Sequence, residues 1–132
     1  MKDTYVYPAL FDYADDGISI RFPDLAGCLP CAQTTDEAVR NAKEALGLHL
    51  WGMERDGDEI PNPTNLLGLK TEPNQAVCLI DIFMPPVRER LNNRFVKKTL
   101  SIPAWLNYEA ENKGVNFSQT LQKALRDELQ LS

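Results

Sequence analysis

The chain has 132 residues, of which 43% are hydrophobic and 25% charged, and its net charge is −5. That length fits one ordinary domain or two small ones, and the composition is that of a soluble folded protein, not a disordered one. No run approaches the ~18 consecutive apolar residues of a membrane span. The opening MKDTYVYPAL has no signal-peptide core, and three cysteines, an odd number, fit a reducing cytoplasm better than a disulfide framework. The expected location is therefore cytoplasmic, with no membrane partner.

In chain order, YVYPALF (residues 5–11) reads as a first strand, with Pro8 suggesting an edge or a bulge. DYADDG (12–17) is a turn, because Asp-Gly favours positive φ. ISIRFP (18–23) then alternates, with Ile18, Ile20 and Phe22 inward and Ser19 and Arg21 outward, completing a hairpin. PDLAG turns again into CLPCAQ, a short third strand.

Thr34 and Glu37 form a capping box, and behind it Ala38, Ala42, Ala45, Leu46, His49, Leu50 and Met53 recur at helical spacing. The predicted helix ends near Asp56-Gly57. After a Pro- and Asn-rich loop, QAVCLIDIFM (75–84) is almost continuously apolar, as a strand covered on both faces would be. The front module is thus β-β-β-α-β over residues 1–86, a small antiparallel sheet with one packed helix. Pro85-Pro86 mark its end, and 87–93 reads as a linker.

Charge divides at the same place. Residues 1–93 hold 8 Lys+Arg against 15 Asp+Glu, net −7, and residues 94–132 hold 6 against 4, net +2. Two modules with differently charged partners would look this way, although an acidic front is also what a soluble surface alone would give.

The tail, 94–132, begins with VKKTLSI (96–102), which places Val96, Leu100 and Ile102 on one side and Lys97, Thr99 and Ser101 on the other. Pro103 starts a helix, Gly114 stops it, and Asn116 is an N-cap for a second helix whose Phe117, Leu121, Leu125 and Leu129 are spaced at four. One strand and two helices in so short a segment cannot enclose a core alone. Dimerisation would pair the strands antiparallel and enclose Leu100, Ile102, Leu121 and Leu125 between four helices.

VKKTLSIPAWLNYEAENKGVNFSQTLQKALRDEL resembles a ribbon-helix-helix DNA-binding domain: an alternating strand, a proline at the helix start, a glycine between helices and a polar N-cap after it. The resemblance implies that Lys97, Thr99 and Ser101 enter the major groove of operator DNA, while Asn116, Phe117 and Ser118 hold a phosphate at the second helix start. The front module, with YPALFDYADDGISIRFPDLAGC followed by T-D-E-A and an Ala/Leu helix, is similar to the HicB antitoxin family. That likeness implies a truncated RNase H-like fold and an overall α+β class. It also implies a small basic HicA-type toxin as partner, operator binding by the tail as homodimer or higher even-numbered oligomer, and no catalysis or cofactor. Cys31 departs from the family, which usually carries a small or polar residue there.

Other readings compete at particular residues. Cys28-Leu29-Pro30-Cys31 has CxxC spacing, but zinc would need Cys78 and His49 as well, and a redox pair needs a helix N-terminus. Buried structural thiols are expected. Nuclease chemistry would need Asp12, Asp15, Asp16, Asp24 and Asp81 to converge on metal ions, yet four of them fall in turns. No metal site or catalytic residue is assigned. Lone His49 reads as packed and hydrogen-bonded, and Trp105 and Tyr108 as dimer packing in preference to a DNA flank. The alternative function is a transcription regulator whose front module senses a small ligand, and an orphan metalloenzyme is a third possibility.

Overall fold

A computed structural model of the chain describes residues 1–93 and 95–131. Arg94, where the sequence places the start of the tail, and Ser132, its end, lie outside the described residues. Two compact units divide between residues 94 and 95.

The front unit runs β1 (Thr4–Ala14), β2 (Gly17–Arg21), β3 (Cys31–Ala32), α1 (Thr35–Asp56), a single 3-10 turn (Leu66–Gly68), β4 (Gln75–Phe83) and α2 (Met84–Leu91). All four strands are antiparallel in the order β3-β2-β1-β4. The hairpin closes through Asp15 and Asp16, with Ala14 opposite Gly17. Gly17 has φ 138°, and a Cβ there would stand 2.9 Å from the Ala32 carbonyl oxygen, so glycine is required on two counts. Pro8 sits opposite Leu79, but β2 reaches only as far as Leu10. Along its first half β1 therefore has one neighbour, a local edge that tolerates a residue with no N–H.

Alternation decides which face is buried. Tyr5, Tyr7, Ala9 and Phe11 of β1, Ile18 and Ile20 of β2 and Ile80 and Ile82 of β4 point into one core with Ala38, Ala42, Leu46 and Leu50 of α1. Thr34 caps α1 by accepting from the Glu37 N–H at 3.3 Å, and its hydroxyl donates to Asp36 at 2.7 Å. That bond holds the Asp36 carboxyl below its ordinary pKa. Gly57, at φ 74°, closes the helix in the left-handed conformation.

In the front unit two expectations are corrected. Residues 87–93 are not a linker, because Met84–Leu91 form helix α2, with Pro85 and Pro86 at its first turn, where a missing N–H costs nothing. Met84 and Val87 are buried, and Gly47 of α1 lets Val87 approach, a Cβ there meeting it at 3.4 Å. Arg88 then fixes α2 in place, as its Nε and Nη2 donate to Glu54 at 3.0 and 2.8 Å and its Nη1 to Asp3 at 2.8 Å. The Glu54 bonds hold the guanidinium above its ordinary pKa. Nor is β4 covered on both faces. It is the terminal strand, and Val77, Leu79, Asp81 and Phe83 are all exposed.

In the tail unit, α3 (Ala104–Asn112) and α4 (Phe117–Glu128) are joined through Gly114 at φ 68°. Asn116 caps α4, its side-chain oxygen accepting from the Gln119 N–H at 3.0 Å. Pro103 is the residue just before α3, not its first. Residues 95–103 carry no strand pairing. A strand is defined by its ladder, and a lone VKKTLSI segment has none to join.

Candidate binding faces of the two units

In the tail, neither helix buries a single residue. Leu100 is 58% exposed and Ile102 47%, and Trp105, Leu106, Phe117, Leu125 and Leu129 are exposed too; Leu121 is half-buried. Lys97, Thr99 and Ser101 are as exposed as the apolar residues between them, so an unpaired segment does not yet have an inside and an outside. Tyr108 is exposed and belongs to the same uncovered apolar set as Trp105. The capped start of α4 brings Asn116, Phe117 and Ser118 together, with the Ser118 hydroxyl accepting from the Gln122 amide at 3.2 Å. Backbone N–H groups of this first turn point outward, the arrangement that suits an anion.

The front unit separates the candidate residues. Asp12 accepts from Asn74 at 2.6 Å and Gln75 at 3.1 Å. Asp24 takes the Thr64 backbone N–H at 3.1 Å and the Thr64 hydroxyl. Asp15 and Asp16 form the hairpin turn, and Asp81 faces Lys43 of α1 at 3.6 Å. Among the described residues no three acidic, histidine or cysteine side chains come together in a way that could hold a metal ion. Asp12, Asp15, Asp16 and Asp24 serve local structure.

The cysteines likewise part company. Cys28 lies in the core, where burial pushes its thiol up to about 11, whereas Cys31 is exposed on the outer sheet face opposite Ser19. Cys78 is half-buried, and burial raises its pKa as well. Only one of the three thiols is therefore freely presented to solvent.

His49 is half-buried and lines an open cleft of about 720 Å³ with Asp24, Leu48, Met53, Asp56 and Glu59. On the opposite side of the sheet Val6, Val77, Leu79 and Phe83 form an exposed apolar surface. Sequence reasoning missed this surface because Ala76 to Phe83 is apolar on both alternating sets. Asp81 within it was the signal that one set meets water. Arg88 was missed because a double proline reads as a break when it can equally open a helix.

The family model for HicB-like antitoxins of bacterial toxin–antitoxin systems matches residues 7–124. An uncharacterized 14.9 kDa protein of the rep-hol intergenic region of Haemophilus phage HP1 is 29% identical over 104 residues, 76% of this chain and 75% of that one. A toxin–antitoxin complex from Streptococcus pneumoniae contains a chain 26% identical, with TM-score 0.60, covering 95% of this chain and 99% of its own. A HicA3 and HicB3 toxin–antitoxin complex contains a chain with the same fold at TM-score 0.51 and 23% identity, covering 59% of this chain and 98% of its own.

Proposed function

The chain belongs to the HicB-like antitoxin family, and from that premise we propose that it neutralises a HicA-type mRNA-cleaving toxin with its front unit and represses its own operon through a paired tail. The division of labour is from residue 1 to the end of α2 for the toxin and from 95 onward for DNA. The protein binds and does not catalyse.

The observation that carries the DNA half is the tail without a core. Two helices and a strand-like segment leave Leu100, Ile102, Trp105, Leu106, Phe117, Leu125 and Leu129 in water. Burying a leucine-sized side chain is worth about 1.5–3 kcal/mol, so this surface is stable only if something covers it. A second tail is the self-complementary answer: its own residues 96–102 supply the missing ladder, and α4 packs against α4. Pairing turns Leu100, Ile102, Leu121 and Leu125 inward. It leaves Lys97, Thr99 and Ser101 on the outer face of a two-stranded ribbon of a width the major groove admits. Their hydroxyls and ammonium can meet base edges, while Asn116 to Ser118 hold a phosphate and set the register.

Charge supports the toxin half. Residues 1–93, of net −7, attract a basic RNA-binding protein and speed its capture. A steady excess of antitoxin would then hold the toxin bound while paired tails close the promoter.

The test uses the full chain and the DNA upstream of its gene in gel-shift titrations at two salt concentrations. Specific binding should fall steeply with salt. Lys97→Ala with Thr99→Ala should abolish the specific shift while cells expressing the toxin are still rescued. Unimpaired promoter binding by that double variant would remove the ribbon from the account.

A further inference from the structure

The free edge of β4 is more than an uncovered apolar strip. In an antiparallel ladder, opposed residues alternate between pairs that exchange hydrogen bonds and pairs whose N–H and C=O groups point away from each other. Two bonds just beyond the ladder fix the phase. Tyr13 N–H donates to Asn74 O at 3.0 Å, and Met84 N–H donates to Asp3 O at 2.6 Å. Odd residues of β1 and even residues of β4 are therefore the bonded pairs. Pro8, which has no N–H, falls opposite Leu79 in the other set, as it must.

It follows that Val77, Leu79, Asp81 and Phe83 direct their backbone N–H and C=O groups to the open side of the sheet. They are also the residues whose side chains are exposed, Leu79 by 53% and Phe83 by 55%. Backbone groups and apolar side chains of the same four residues thus face water together. The strand is nine residues long, paired to β1 without a bulge, and contains neither proline nor glycine. Proline, a bulge and short length normally guard an edge; this one has only the charge of Asp81, and so long an edge can recruit another strand, one that answers that charge.

We propose that β4 takes up an extended strand of a cationic protein partner. That strand would lie beside Val77 to Phe83, with its side chains next to Val77, Leu79 and Phe83 and a lysine or arginine at Asp81. The assignment rests on the toxin-binding reading, under which that partner is the toxin, and it names the surface the toxin uses. Charge selects the occupant: a second copy would bring one strongly acidic front unit, net −7 over residues 1–93, against another, whereas a basic strand is attracted. Asp81 is available for it. Its ion pair with Lys43 is 3.6 Å long with both side chains half or more exposed, and such pairs contribute little. The main-chain bonds supply affinity, and the alternate side chains and Asp81 supply selectivity.

Hydrogen exchange on the full chain tests this, alone and with a cognate HicA-type toxin disabled for cleavage. Amides of Val77, Leu79, Asp81 and Phe83 should exchange freely in the chain alone and slow at least tenfold in the complex. Those of Ile80 and Ile82 should be protected in both. Leu79→Asp and Leu79→Pro should each weaken toxin binding at least fivefold; β1 does not use the Leu79 N–H, and an unchanged circular dichroism spectrum checks the fold. A complex that forms with the four amides unslowed, or an effect of Leu79→Asp below fivefold, overturns the docking edge and leaves the toxin reading intact. Absence of any complex with the unaltered chain overturns the toxin reading itself. Protection that grows with concentration of the chain alone gives the edge to a second copy and overturns the cationic partner.

Discussion

Arg88→Met should unfold the front unit far more readily than a surface substitution would. The guanidinium spans Glu54 of α1 and Asp3 at the chain start, with two bonds to Glu54 at 3.0 and 2.8 Å. The Glu54 side chain is only 7% exposed and that of Arg88 16%, while Asp3 stands in water. Methionine keeps the aliphatic bulk and removes every donor, so Glu54 is left as a carboxylate with little access to water. Removing one partner of a buried pair costs about 3–5 kcal/mol. The exposed Asp3 contact adds no more than about 1 kcal/mol. With the arginine partly accessible, the lower end applies, and roughly 3 kcal/mol corresponds to a fall of about 10–20 °C in Tm for a unit of this size. Urea unfolding at fixed protein concentration, followed by Trp51 fluorescence in a Trp105→Phe background, measures it. Adding Glu54→Gln to Arg88→Met should recover at least half the loss, because no charge is then stranded. A loss below about 1 kcal/mol, within the range of surface ion pairs, would mean that α2 is an appendage and that 87–93 acts as a linker after all.

The remaining predictions concern the tail, the thiols and the boundary. Leu100→Ala should cost about 2–5 kcal/mol of dimer stability, seen by sedimentation equilibrium as a shift toward monomer, and an unchanged dimer constant would refute the shared core. Thr99→Ala should lower discrimination between promoter and random DNA in gel shifts, whereas Asn116→Ala should weaken both alike and cost about 1 kcal/mol through its lost cap. Burial raises the Cys28 thiol to about 11 from an ordinary 9.0, so its protonated form contributes fully below pH 9 and that contribution is lost as pH rises to 11. Unfolding free energy should decline across that window, and Cys28→Ala should flatten the decline without abolishing it, since Tyr7 and Cys78 are raised in the same direction. At pH 8 a thiol reagent should modify Cys31 well before Cys28. A chain truncated after Asn93 should fold and bind toxin, whereas one truncated after Pro86, which lacks Val87 and Arg88, should be strongly destabilised in circular dichroism.

How far the sequence was legible depended on how local the determining physics is. The Thr34 cap, the Gly57 stop and the Asp15-Asp16 hairpin turn are written within a few residues, and they fall where pattern reading puts them. The α+β class and the β-β-β-α-β order follow from those short-range signals. Which strand ends the sheet is not a local property. Gln75–Phe83 carries apolar residues in both alternating sets, and only pairing with β1 on one side, with no strand beyond among the described residues, exposes Leu79 and Phe83. The Pro85-Pro86 pair shows a different limit: proline permits a helix start as readily as a break, and the choice is made by Met84 and Val87 meeting α1 and by Arg88 meeting Glu54 across 34 residues. In the tail, α3, the Gly114 turn and the Asn116 cap were readable, while the inside and outside of residues 96–102 exist only once a partner strand defines them.

The most direct test of the whole account mixes the full chain with its HicA-type toxin and follows cleavage of a messenger RNA while the molar ratio is raised. Cleavage should stop at a fixed stoichiometric ratio, with the complex surviving gel filtration and its formation slowed by added salt. Cleavage that continues undiminished in the presence of a large excess of folded chain would contradict the assignment of this protein as an antitoxin acting by direct capture.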